Sequence, residues 1–452
     1  YKRQIWAKFQ GDMNMPSKSN IQSVEIQFPQ HTKKGVTYID LLEFTPKVSW
    51  QNMSDAQYKV NRTDYSLIPD FIGYRNATPK VEKVITAEDN QITTITDRLT
   101  TWYLGSGQYS SERWIKMRTE NEKIFIRNGV KAAQRIKIQY NEDHTPQGEP
   151  LFPMGAPTII DGQEAKKFRT INENVLLPLA LDYRKNQNDQ SLKKALYIYD
   201  WFNDQGWTDG SSMGTLCFEK LRSSGYFHSF FLLKEQLSPE QLKRELQTMN
   251  WFTMFGACYL LPSHAGEVAD NLRALAIPKL IYALSQNDKQ EREVALTAFK
   301  HYMDNALGIA PGFFGTFKAD FSGYHHRGPY HSAYYPHALY AGALIAYLLH
   351  DTPYALSETT LHNLKQGLLT FRFFCAGLDV PAGSVGRFPK GQQILETLLP
   401  AFVYTALSFK EPDKELTAAF KRILESTENK QAIAEYISNV NSSLAYTSTV
   451  GE

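Results

Sequence analysis

The chain has 452 residues, 42% of them hydrophobic, which is too long for one ordinary core and implies two or more domains. Lys and Arg total 49 against 47 Asp and Glu, a formal charge of +2, which excludes a global field for nucleic acid or an anionic membrane; an anionic ligand would need a local basic site. Three scattered cysteines, Cys217, Cys258 and Cys375, exclude a disulfide framework or a CxxC metal site and read as small buried hydrophobes. No run of 18 apolar residues spans a membrane. The opening at Tyr1 carries neither Met nor a charged-then-apolar leader and reads as a processed or cut end. The NxS/T triplets at Asn52, Asn61, Asn76 and Asn441 arise often by chance. Aromatic residues reach 13%, with 25 Tyr, which suits stacking on sugar faces and equally suits a large aromatic core.

Residues 1 to about 65 read as β: apolar and polar residues alternate from Val24 to Phe28, and 36–44 is rich in β-branched and aromatic residues between Gly35 and Pro46. Two or three strands do not close a stable sheet, so residues 1–70 look like the end of a larger β domain. A linker of Pro and polar residues covers 66–79. From about residue 86 the period becomes 3.6: Ile92, Ile95, Leu99 and Trp102 share a face, with Thr86 and Asp89 resembling a capping box. A charged helix is expected over 112–138, broken or frayed near Gly129, and Leu192, Ala195, Leu196 and Tyr199 mark another. Ser238, Pro239 and Gln241 form a helix start, followed by Leu242, Leu246 and Met249. Periodic segments then cover about 267–285, 290–307, 336–350, 357–374, 391–409 and 429–440. Paired helices of this length without a fixed short repeat imply a mainly α, layered array or toroid.

Titratable rings concentrate in 313–340, which carries four of the eleven histidines (His325, His326, His331, His337) with Tyr324, Tyr330, Tyr334, Tyr335 and Tyr340. Arg327, Gly328 and Pro329 interrupt it, so an irregular loop held by helices is expected. A loop of packed aromatics with surface histidines would give the same composition. Asp320 is the only nearby carboxylate, which fits neither a zinc site nor the paired carboxylates of a glycoside hydrolase. No phosphate-binding glycine loop, HExxH or GxSxG is present.

Tyr, His and Arg together suit proton abstraction beside a carboxylate. Removing such a C–H proton puts charge on the carboxylate, so cations or strong donors are needed there, with a base at the carbon and an acid for the leaving oxygen. A tyrosinate favoured by neighbouring cations can serve as both in turn. Arg387, between Gly386 and Pro389, is the candidate guanidinium; an exposed Arg in a polar turn is the bland alternative.

The segments 326–330 (HRGPY), 347–354 (YLLHDTPY), 363–365 (NLK) and 386–389 (GRFP) resemble the polysaccharide lyases that include chondroitin ABC, chondroitin AC and hyaluronan lyases, above all the chondroitin ABC branch. The similarity runs from about 170 to 410 and includes 204–207 (DQGW) and Ser223-Ser224. It implies an incomplete (α/α) toroid over 166–452, after a linker and first helices at 71–165 and the end of a β-sandwich-like domain at 1–70. It further implies β domains beyond the chain's end, one of which supplies the glutamate of a Tyr-His-Arg-Glu tetrad that cleaves uronate-containing glycosaminoglycans by elimination. His326 matches the tetrad histidine and Arg387 the arginine. Ungapped alignment puts Ala333 in the tyrosine slot, a shift of one residue offers Tyr334, and the chondroitin AC and hyaluronan spacing pairs His325 with Tyr334. The base is assigned to Tyr334. The paired histidines expected before Ser223 are absent; Cys217 to Lys220 stand there, with His228 downstream, so iduronate cleavage would need His228 or a shifted alignment to supply the base.

The expected activity is therefore a carbon–oxygen lyase on chondroitin-type chains, extending to dermatan sulfate or hyaluronan, from a secreted or periplasmic protein. Trp207, Tyr226, His228, Arg327 and Tyr330 are the candidate substrate contacts. The chemistry calls for no metal or other cofactor, and any structural divalent cation would sit in a flanking domain. A glycosaminoglycan-binding protein without catalysis and a toroidal glycoside hydrolase are the alternatives.

Overall fold

The structure, a computed structural model, describes residues 73–105, 113–142, 146–148, 151, 166–205, 207–209, 222–261, 264–385 and 394–426. The β segment expected over 1–70, the helix expected over 429–440, Cys217 and Arg387 lie outside the described residues.

What is described is mostly helical. Helix α1 (Asp89–Leu104) buries Ile92, Ile95, Leu99 and Trp102, the face its spacing predicts. Its start differs from expectation: Glu88 precedes it, and Gln91 Oε1 accepts from the Glu88 amide at 3.0 Å, so Thr86 and Asp89 are not the box. Helix α2 (Arg113–Ala133) runs unbroken through Gly129. That glycine serves packing: a Cβ there would lie 2.2 Å from the Pro178 side chain and 2.9 Å from Asn174 O. A short hairpin of β1 (Ile138–Tyr140) and β2 (Pro146–Gly148) follows. Helix α3 (Lys166–Ile171) passes through a π-turn, Asn172–Leu176, into α4 (Leu177–Asn186).

Then come α5 (Asp189–Asp204), α6 (Ser224–Leu233), α7 (Pro239–Thr253), α8 (Ala269–Leu284), α9 (Lys289–Ala306), α10 (Tyr335–Leu349), α11 (Glu358–Phe374), α12 (Leu399–Leu407) and α13 (Lys414–Ser426), of which α6 and α13 have no equivalent among the expected segments. Their starts are chemically marked. Ser238 Oγ accepts from the Gln241 amide at 3.2 Å while Gln241 Oε1 accepts from the Ser238 amide, the reciprocal cap predicted for α7. Asp288 and Ser357 cap α9 and α11 in the same sense, at 2.9 and 3.2 Å.

Helices α4, α6, α8, α10 and α12 pack one against the next in a row, and α2, α5, α7, α9, α11 and α13 lie against its members. The division follows composition. Helices α6, α8, α10 and α12 are apolar nearly all round and bury most of their residues, whereas α7, α9 and α11 keep a polar face outward. Each fully buried Leu, Phe or Met of the row contributes roughly 1.5–3 kcal/mol. The segment between α9 and α10 ends at the first residue of a row helix, which fixes where its rings can point.

A candidate elimination site on the loop before helix α10

The loop from 307 to 334 is ordered by its own backbone. Ala310 N donates to Phe317 O and Tyr324 N to Thr316 O, both at 2.9 Å, while Thr316 Oγ1 donates to Glu267 O at 2.7 Å. Its tip is a hairpin, not the irregular loop expected: β3 (Tyr324–His325) pairs with β4 (Gly328–Pro329), His325 opposite Gly328. The two connecting residues, His326 and Arg327, have φ of 50° and 67°. Positive φ at both central positions is the primed-turn geometry that ordinarily takes Asn-Gly. A left-handed non-glycine residue costs about 1–2 kcal/mol, and such strain collects at working sites.

The turn gathers four of the candidate rings. The His325 ring stacks on Tyr334, centroids 3.8 Å apart and planes at 18°. His326 lies edge-on to His325 at 4.1 Å, and its Nε2 stands 3.4 Å from the Tyr334 hydroxyl. Tyr330 meets Tyr334 edge-to-face at 4.7 Å. Tyr334 immediately precedes α10 and is mostly buried, whereas His326 and Arg327 are exposed. Ala333, beside it in sequence, is half-buried against the core.

A second turn is fastened to this cluster. His331 N donates to Ser384 O and Ser332 Oγ to Val385 O, both at 2.9 Å. Val385 precedes Arg387 by two residues in the sequence.

Two residues that sequence reasoning missed complete the neighbourhood. Arg273 of α8 holds its guanidinium carbon 5.1 Å from the Tyr334 ring centre, and its Nε donates to Asp270 Oδ1 at 2.8 Å. Asp270 Oδ2 is 3.6 Å from His325 Nε2. The available signal was an acid and a base three residues apart at the start of a helix otherwise nearly free of charge.

Three of the proposed sugar contacts belong elsewhere. Trp207 is 2% exposed and stacks on Phe252 with centroids 3.6 Å apart; Tyr226 is fully buried, with its hydroxyl donated to Glu245. Neither ring has a face open to a sugar, because both fill the aromatic core around Phe168 and Tyr199. His228 is half-buried among Trp102 and Tyr103, its Nδ1 2.6 Å from the Tyr103 hydroxyl, and burial lowers its pKa to about 4. It is thus held in a separate aromatic cluster.

His331 supports the loop from below. Its Nε2 accepts from the Gly323 amide at 3.3 Å, and burial, opposed by the charge of Asp320, lowers its pKa to about 4. The folded state therefore favours the neutral ring, while the unfolded chain takes up a proton near the ordinary value of about 6.5. The stabilisation is complete above that value and is lost as pH falls toward 4, because the unfolded state then binds the extra proton. Denaturant midpoints measured from pH 7 to 4 should fall over that window. In His331→Gln, which retains an acceptor without titrating there, the fall should be smaller; an equal fall would exclude His331 as the source.

Among the described residues no group of three or more His, Cys, Asp or Glu is arranged to hold a metal ion, and no helix is long and apolar enough to cross a membrane.

Known proteins share this chain's sequence and fold. A chondroitin sulfate ABC exolyase of Bacteroides thetaiotaomicron is 29% identical over 254 residues, 55% of this chain and 25% of that protein. A chondroitin sulfate ABC endolyase of Proteus vulgaris is 24% identical over 431 residues, 91% of this chain and 41% of that protein. The chain thus spans less than half the length of these relatives. A Paenibacillus xanthan lyase structure superposes with a TM-score of 0.61 at 13% identity, covering 80% of this chain and 34% of that one, which shows a shared fold. The family described as "Lyase, catalytic" matches residues 78–430, most of the chain, and the chain belongs to that family.

Proposed function

We propose that this chain carries the eliminating centre of a polysaccharide lyase that cleaves chondroitin-type glycosaminoglycans beside a uronic acid. The observation that carries the reading is the Tyr334 hydroxyl within 3.4 Å of one imidazole while its ring stacks on a second, inside a lyase catalytic domain. The sugar C5–H is acidified by its carboxylate, and a phenolate is a base strong enough to take that proton when cations stand by.

In the proposed reaction the Tyr334 phenolate takes the C5 proton. The C–H electron pair becomes the C4–C5 double bond as the C4–O4 bond breaks, and the Tyr334 hydroxyl returns the proton to the departing oxygen. His326 and His325 assist in neutralising the carboxylate and steadying the phenol. Arg387 would orient the leaving oxygen or the phenolate; the anchoring of Ser384 and Val385 to the loop supports that role. Arg327, exposed on the turn, is the contact proposed for sulfate; Tyr330, mostly buried like Tyr334 but packed against it at the hairpin and not in the aromatic core, is proposed to meet the sugar. The row of helices with its flanking partners supports an incomplete (α/α) toroid, with β domains flanking it in the whole protein, and a secreted or periplasmic location suits a polymeric substrate.

The test is incubation of the protein with chondroitin sulfate while ultraviolet absorbance of the new C4–C5 double bond is followed. Absorbance rising in step with reducing ends supports elimination. Reducing ends without absorbance would mean hydrolysis, and oligosaccharide binding in calorimetry without either product would mean a binding protein.

A further inference from the structure

We infer that Arg273, anchored by Asp270, is a positioning residue for Tyr334: its guanidinium lies over the phenol ring and stabilises negative charge there. The inference takes Tyr334 as the base from the reading above, but its central measurement does not depend on turnover.

Four observations converge on it. The guanidinium carbon lies 5.1 Å from the Tyr334 ring centre, within the range at which a cation over an aromatic face is felt, and the effect grows when the pair is removed from water. Tyr334 is 5% exposed and Arg273 half-buried, so solvent screens the pair weakly. Arg273 is fixed at both ends of its fork, by Asp270 Oδ1 at 2.8 Å and by a long contact of 3.5 Å to Ala333 O, the carbonyl just before Tyr334. The anchoring carboxylate also reaches His325, the ring stacked on Tyr334, at 3.6 Å. One ion pair on a rigid row helix thus touches both members of the His325–Tyr334 stack. Three residues further along α10, His337 is held neutral, lowered to about 4 by burial and then by the charge of Arg273, so it adds no competing cation.

The arrangement answers a specific difficulty. A tyrosine must lose its proton before it can accept one from the sugar, and a mostly buried phenolate is disfavoured by desolvation unless a charge offsets it. A guanidinium over the ring face supplies that charge.

The experiment is a pH titration of the 452-residue chain labelled with 13Cζ-tyrosine, followed by NMR, with the Tyr334 signal assigned as the one missing from Tyr334→Phe. Among the described residues, the other charged or titratable groups facing the ring from the hairpin, from its flank and from α8 are His325, His326, Tyr330 and Asp270, with His337 beside Arg273; all of these, and Arg387, remain in the Arg273 variants. In R273Q the Tyr334 midpoint should rise by about one pH unit, tenfold in proton affinity. In R273K, which keeps the charge, it should rise by less than half as much. An unmoved midpoint in folded R273Q, or equal rises in both variants, overturns the inference. Where the protein turns over substrate, the ascending limb of kcat/KM against pH should move in the same direction, while a purely structural Arg273 would lower kcat without moving that limb. Loss of activity in every assay, with the NMR shift intact, would remove the elimination reading and leave the Arg273–Tyr334 pairing standing.

Discussion

Tyr334→Phe should reduce turnover of chondroitin sulfate by about a thousandfold or more, with the unfolding free energy unchanged within about 0.5 kcal/mol. The size follows from general acid–base catalysis, worth about 10²–10⁴ for one proton transfer, and in the proposed reaction a single hydroxyl performs two. The small stability change follows from the contacts. Phenylalanine keeps the ring stacked on His325, edge-on to Tyr330 and beneath Arg273, and its losses include the long 3.4 Å contact to His326. Initial rates and chemical denaturation on the same sample separate the two quantities. Retained turnover would take Tyr334 out of the mechanism and return attention to Tyr330, the other phenol on the cluster.

The expected placement of the base rested on a choice between adjacent positions, and of the two it is Tyr334 whose ring lies against His325 and His326. A one-residue slip decides whether Ala333 or Tyr334 faces the histidines, and spacing alone is ambiguous because the hairpin turn is two residues long. The positive φ at His326 and Arg327 closes the turn tightly and places His325 over Tyr334. Nothing in the composition of His-Arg announces that conformation, since turn preferences point to Asn and Gly there. Helices were more legible, because a 3.6 period survives whatever the helix packs against: Ile92, Ile95 and Leu99 face inward as their spacing requires. Gly129 was misread because propensity sees a weak helix former, while the structure uses the missing side chain to admit Pro178. Trp207 and Tyr226 were misread for the converse reason. An aromatic beside a polar loop looks available until a tertiary neighbour, Phe252 or Glu245, is known to cover it.

Gly323→Ala is expected to cost about 3 kcal/mol of stability, toward the upper end for overpacking, and to abolish whatever activity remains. A Cβ at this position would lie 1.8 Å from Cγ of Tyr335, an overlap that turning the ring about its own axis cannot relieve, because Cγ lies on that axis; only a swing of the whole ring would move it. Tyr335 has nowhere to retreat: it is fully buried, its hydroxyl donates to Phe321 O at 2.8 Å, and Phe317 lies edge-on at 5.5 Å. On the far side Gly367 approaches so closely that a Cβ there would be 2.6 Å from the Tyr335 hydroxyl. The backbone of Gly323 is equally committed, its amide to His331 at 3.3 Å and its carbonyl to the Tyr330 amide at 2.8 Å. Either the hairpin lifts away from α10 or Tyr335 shifts, and both movements displace the next residue along, Tyr334, from its imidazoles. The comparison is Gly328→Ala on the same hairpin, where an added Cβ meets nothing within 4 Å and stability should change by less than about 1 kcal/mol. Equal denaturant midpoints for the two variants would show that the loop is not seated on Tyr335, and the catalytic geometry derived from that seating would fall with it.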